Sequence, residues 1–266
     1  MHSMEKLFLG KIFQEHQQCR QCPTKEEVSL FFDDLLGLLF PNFSNKSIET
    51  LDRLKEAFEG SKAQLRSLLR KQESPEKIDA FFDGLPNLYE LLQEDVTAIY
   101  EGDPASVSRE EVIRSYPGFY AISAYRIAHR LYELEIPMIP RSITEYAHGK
   151  TGIDIHPAAQ IGRRFCIDHG TGVVIGETTE IGDDVKIYQG VTLGALSVEK
   201  ALANTKRHPT IGDRVVIYAG ATVLGGNSII GEDSIIGGNV WLTESVPPAT
   251  QVYYKAPNVH KMKSYN

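Results

Sequence analysis

The sequence predicts an α+β chain: an all-helical N-terminal domain over residues 1–150, a parallel β-helix over 151–250, and a tail, 251–266. Two observations carry this. From Ile155 to Leu242 aliphatic residues recur at intervals of six: Ile155, Ile161, Ile167; Ile175, Ile181, Ile187, Leu193; Ile211, Ile217, Val223; Ile230, Ile236, Leu242. A glycine or small polar residue mostly follows each one. Neither a 3.6-residue helix nor an alternating strand has that period. Upstream of residue 150 the hexads are absent and apolar residues recur at helical spacing.

Each hexad supplies one short strand and its corner, and three hexads close a triangular coil of about 18 residues. A single coil cannot bury its apolar side, so consecutive coils must stack, and the hexads present supply about four. Three register breaks interrupt them: two extra residues between Ile167 and Ile175, a long insert between Leu193 and Ile211, and one extra residue between Val223 and Ile230. A stacked core tolerates inserts only where they loop outward, and loops on a rigid scaffold are where sites are built.

In the N-terminal domain the pattern predicts helices over 4–17, 25–40 (stopped by Pro41), 47–58, 61–70, 88–100 and 141–148, the third and fourth separated at Gly60 and the last ending at Gly149. Ser74 before Pro75 marks another helix start, Ser108 with Glu111 forms a capping box, and Pro117 opens a further apolar stretch, 119–134. Their apolar stripes serve helix packing or subunit contacts.

With a net charge of −7 and no basic block, the chain is not expected to bind nucleic acid. No run approaches the ~20 apolar residues of a membrane span, and no signal peptide is evident, so a cytoplasmic protein is expected. Three cysteines make no disulfide framework. Cys19 and Cys22 form a C-x-x-C, but a structural zinc site wants four ligands and no second pair exists, so no metal is expected.

Ionisable residues gather at the breaks. Asp168 and His169 stand at the first, with Asp154 15 residues before His169, a little under one coil. A histidine near neutrality is a natural acceptor of an alcohol proton, and a carboxylate is its usual orienting partner; a surface histidine capping a turn fits the same spacing. The second break, within the loop 195–210, holds Lys206, Arg207 and His208. Arg207 could grip a carboxylate in bidentate fashion; a solvated charge run is the other option.

At these residues the chain resembles the serine O-acetyltransferase family. The resemblance rests on Gly152-Ile153-Asp154-Ile155-His156-Pro157-Ala158-Ala159, on Asp168-His169-Gly170-Thr171-Gly172 through Glu177-Thr178, on Gln189-Gly190-Val191-Thr192-Leu193-Gly194 and on Arg207-His208-Pro209. Asp103-Pro104-Ala105 and Tyr125-Arg126-Ile127-Ala128-His129 match upstream, and residues 100 to 250 are covered. The resemblance implies a left-handed β-helix, a homotrimer or dimer of trimers with active sites between neighbouring β-helices, and transfer of acetyl from acetyl-CoA to the hydroxyl of L-serine in L-cysteine biosynthesis. It makes His169 the general base and Asp154 its partner. Asp103 and Asp168 would hold the serine ammonium, Arg207 its carboxylate, and His208 would complete the pocket. It places CoA along Gly194, Ala195, Ala219 and Gly238, with Lys255, Lys261 and Lys263 as candidate phosphate contacts.

The chain also departs from that family. Its loop before Arg207 is longer and presents Lys206 where an Asp is common, and its end, Lys263-Ser264-Tyr265-Asn266, lacks the terminal Ile that enters cysteine synthase in many members; that complex is not expected. Competing functions on such a scaffold are an acetyltransferase for a homoserine, sugar or antibiotic acceptor and a non-catalytic assembly surface. A β-helix metal lyase would need a close-spaced histidine pair that His156, His169 and His208 do not supply.

Overall fold

The computed structural model describes residues 3–19, 23–44, 47–69, 75–196 and 205–255. The side chain of Cys19, all of Cys22, residues 197–204 of the 195–210 loop, Lys261 and Lys263 lie outside the described residues. The described helices are α1 (Ser3–Cys19), α2 (Lys25–Leu39), α3 (Leu51–Leu69), α4 (Pro75–Asp83), α5 (Leu85–Gly102), α6 (Arg109–Ser115), α7 (Pro117–Glu133) and α8 (Ile139–Thr151).

Several boundaries differ from the sequence expectation. A single helix, α3, runs through Gly60, whose missing side chain faces open space. A helical glycine costs only ~1 kcal/mol, less than the burial of Leu65, Leu68 and Leu69 further along α3 supplies. Helix α5 starts at Leu85, with Pro86 in its first turn, rather than at 88. Helix α8 continues past Gly149 to Thr151, where Gly152 takes the left-handed conformation (φ 70°) and returns its N–H to His148. At α6 only half of the box forms: Ser108 accepts from the Glu111 amide at 3.2 Å, while the Glu111 carboxylate caps the Val107 amide at 2.6 Å. The apolar face expected on α1 is exposed, with Leu7, Phe8 and Phe13 all open.

The hexads fold into three parallel sheets of five, four and five strands that form the faces of a prism. On the first face Ile155, Ile175, Leu193, Val223 and Leu242 stack in register. Ile161, Ile181, Ile211 and Ile230 stack on the second, and Ile167, Ile187, Ile217, Ile236 and Val252 on the third. The six-residue period therefore becomes three aliphatic columns with almost no exposure except at Leu242 and Val252, where the stack ends. The glycines after the second-face aliphatics have no room for a Cβ: one on Gly231 would lie 2.3 Å from the Pro248 nitrogen.

Helix α7 joins the two domains. Its apolar residues from Phe119 to Leu131 are buried, and a Cβ on Gly118 would fall 2.3 Å from the Ile167 carbonyl, so the helix lies directly on the first coil. Arg126 is 3 % exposed and donates to both oxygens of buried Asp95 at 3.0 and 3.1 Å, and to the carbonyls of Ile161 and Gly162. Asp95 in turn accepts from the Phe165 amide at 2.9 Å, and the Tyr125 hydroxyl donates to the Ala159 carbonyl. Buried charge is tolerated here because each group is paired and hydrogen-bonded.

Candidate active site

Two clusters of polar side chains form at two edges of the first face. The first holds Asp103, Asp168 and His169. The extra residues at the first register break are His169 and Gly170, both in the left-handed region (φ 59° and 88°). The insert swings His169 out of the prism, leaving its side chain 72 % exposed, with Nδ1 3.6 Å from Asp168 Oδ1. Asp168 ends the third-face strand Cys166–Asp168. Its other oxygen, Oδ2, lies 3.0 Å from Lys186 Nζ. Lys186 also donates to the Gly102 carbonyl at the end of α5 (2.5 Å) and lies 4.4 Å over the Tyr188 ring. Burial lowers the Lys186 pKa, but the Tyr188 and Asp168 interactions outweigh it and hold the ammonium above its ordinary value.

Asp103 follows α5 directly, and the turn after it brings its carboxylate to the same place. Its oxygens accept from the Tyr116 hydroxyl at 2.6 Å and the Ala105 amide at 2.8 Å. The Tyr116 bond first, then the amide, with Lys186 and His169 nearby, keep its pKa below the ordinary carboxylate value. The same bond raises Tyr116 to about 12. This corner is a fixed acidic pair beside an exposed imidazole.

The second cluster is built on Thr178. Its hydroxyl accepts from the amides of Arg207 (2.9 Å) and His208 (3.1 Å), pinning the end of the loop to the prism. Its own amide donates to His208 Nδ1 at 3.1 Å. His208 is 8 % exposed and lies against Gly176, where a Cβ would come within 2.1 Å of Nε2. Burial first, and Arg207 next, lower its pKa to about 4. The Arg207 guanidinium reaches the Glu177 carboxylate, and Lys206 ties down the Thr178 carbonyl at 2.8 Å.

Asp154 does not meet His169. Among the described residues its partner is Arg141, 3.1 Å from Oδ1, and the carboxylate nearest His169 is Asp168. Spacing of a little under one coil brings Asp154 to the start of the first face, but α8 places a guanidinium over it and the two-residue insert aims His169 away. The predicted set also does not close on one cleft within a chain. From the corner at Gly172 to the Gly176 on which His208 rests the extended chain makes four residue steps, about 13 Å at the usual strand rise, which is wider than a serine.

The residues expected to line CoA flank the same face. The Gly194 carbonyl accepts from Gly225 at 3.0 Å at one edge, and the Ala219 carbonyl from Asn239, next to Gly238, at 2.9 Å at the other. Sequence reasoning missed Tyr116, Lys186 and the Thr178 lock. Thr178 stood inside a quoted motif; Tyr116 and Lys186 carried no local signal.

No protein-family model matches the chain. The chain is 44 % identical over 255 residues to the plasmid serine acetyltransferase of Synechococcus elongatus, an alignment covering 85 % of this chain and 79 % of that one. Among solved structures it superposes on serine acetyltransferase isoform 3 of Entamoeba histolytica in complex with cysteine, with a TM-score of 0.79 and 37 % identity over 88 % of this chain and 84 % of that one. It is also similar to a serine acetyltransferase in complex with CoA, with a TM-score of 0.59 and 34 % identity over 66 % and 71 % of the two chains.

Proposed function

The chain belongs to the serine acetyltransferase family, and on that premise we propose how its residues divide the work. The protein is an acyltransferase with the family's left-handed prism, and it moves the acetyl group of acetyl-CoA to the hydroxyl of L-serine, giving O-acetyl-L-serine and CoA in cysteine biosynthesis.

His169 is the general base. It stands free of the prism and takes the serine hydroxyl proton as the oxygen attacks the thioester carbon; the tetrahedral intermediate then expels CoA thiolate, to which the imidazolium returns the proton. Asp103 and Asp168 hold the serine ammonium beside it. Arg207 takes the carboxylate in bidentate fashion, exchanging Glu177 for substrate. His208, neutral and with its proton on Nε2, donates to the reacting oxygen. Asp154, anchored through Oδ1 by Arg141 and out of reach of the imidazole of its own chain, is the orienting carboxylate for that of a neighbouring chain. Acetyl-CoA lies along the first face between Gly194–Ala195 and Ala219–Gly238.

The observation that supports this most strongly is the separation of the acidic, base-bearing edge from the Arg207–His208 edge by the width of a face. Each edge has half the groups a zwitterionic acceptor needs, and a homotrimer that sets one edge against the other edge of a neighbour completes the site. A sugar acceptor would use neither the carboxylate pair nor the guanidinium.

Release of CoA thiol from acetyl-CoA, measured with serine, homoserine and a galactoside as acceptors, tests the assignment. Serine is expected to give the highest kcat/KM by at least tenfold; equal rates with all three, or none with serine, contradict it.

A further inference from the structure

Lys186 is the charged group of the first cluster that the reaction as described does not use. It is nearly as buried as its partner: the side chain is 15 % exposed and that of Asp168 9 %. It is also engaged on two sides, bridging the last carbonyl of α5 and the Asp168 carboxylate to which the substrate ammonium is assigned above. A lysine amino group and a substrate amino group offer the same chemistry to the same carboxylate. With Asp103 and Asp168 each carrying one negative charge and Lys186 one positive, the cluster presents a net single negative charge rather than two.

Resting on the serine reading above, we infer that Lys186 is a specificity-determining residue: an internal ammonium that occupies one oxygen of Asp168, so that the amino group of the acceptor is held chiefly by Asp103 and is bound more weakly than two free carboxylates would bind it. Asp103 is suited to that part. Its donors, Tyr116 and the Ala105 amide, fix its position without adding positive charge, and it sits on the helical domain rather than on the prism. Asp168 keeps Oδ1, on the His169 side, for the substrate. The pocket is tuned to one cationic group in the presence of a fixed one.

A purely structural tether between α5 and the prism would affect all ligands alike; a charge competitor affects only those that carry the amine. Lys186→Met and Lys186→Gln remove the charge, the second keeping a donor for the Gly102 carbonyl should the first fail to fold, and Lys186→Arg retains the charge. The readouts are the KM for serine and the inhibition constant of 3-hydroxypropanoate, which is serine without its amino group. Removing the charge is expected to lower the serine KM roughly three- to tenfold, the size of one partly screened charge interaction, with 3-hydroxypropanoate unchanged within twofold and the arginine variant close to wild type in both. A serine KM that stays put or rises in the neutral variants, or a parallel change for both ligands, overturns the inference while leaving serine as the substrate. A wild-type enzyme that does not acetylate serine overturns the reading and the inference together.

Discussion

Thr178 and His208 are bonded so that only one tautomer of the histidine is allowed. The Thr178 amide, which can only donate, lies 3.1 Å from His208 Nδ1, and the hydroxyl lies 2.9 Å from the same nitrogen. Nδ1 therefore carries its lone pair, and the neutral ring bears its proton on Nε2.

A buried donor that is neutral at physiological pH cannot be the group whose protonation sets the acid limb of the pH–rate profile. With its pKa lowered from 6.5 to about 4, His208 stays neutral across the physiological range. His208→Gln, which retains a donor, is expected to keep the acid limb unmoved and to lose about tenfold in kcat; His208→Ala should lose roughly 10²-fold or more. The thiol-release assay between pH 5 and 9 checks both. The same shift carries a stability prediction. As pH falls from 6.5 toward 4 the unfolded chain takes up this proton before the folded one does, so stability is full above that window and declines through it. Urea midpoints for wild type and His208→Gln should converge as the pH is lowered.

Gly176→Ala tests the seat of that ring. Its Cβ would meet Cδ2 and Nε2 of His208 at 2.1 Å, so the ring must move and the Thr178 bonds must break. A misplacement of this size is expected to cost about 10²-fold in kcat, measured by steady-state kinetics, with circular dichroism reporting a retained β-helix.

His169→Ala removes a base that packs against little. Because the side chain is mostly exposed, its loss should change stability by no more than about 0.5 kcal/mol, as at ordinary surface positions, while kcat falls by about 10²–10⁴. Comparing melting curves with turnover separates the two effects.

Arg126→Ala leaves Asp95 buried and unpaired at the junction of the domains, and strips the carbonyls of Ile161 and Gly162 of a donor. A loss of roughly 3–5 kcal/mol is expected, visible in the urea midpoint.

The prism was legible because its period is a property of the core: each aliphatic residue at the sixth position is forced onto the column beneath it, and Ile155, Ile161 and Ile167 began the three columns that formed. The breaks were equally legible, and both clusters lie at them. Helix ends were less so, since Gly60 and Gly149 disrupt a helix only when tertiary contacts do not hold it. The site's internal partners were not legible. Asp168 to Lys186, Asp103 to Tyr116 and Asp154 to Arg141 are set by where α5, α7 and α8 meet the first coils, and hexad spacing carries no information about that docking. For the same reason Asp154 meets Arg141 rather than His169 within one chain.

The central claim is that each active site takes its base edge from one chain and its Arg207–His208 edge from another. Co-expressed and co-purified chains carrying His169→Ala and Arg207→Ala test it directly. In a ring of three, about three quarters of randomly mixed trimers contain both chains, and each such trimer rebuilds one intact site of its three, so about a quarter of wild-type turnover is predicted where each variant alone is nearly inactive. A mixture no more active than the separate variants would contradict the account.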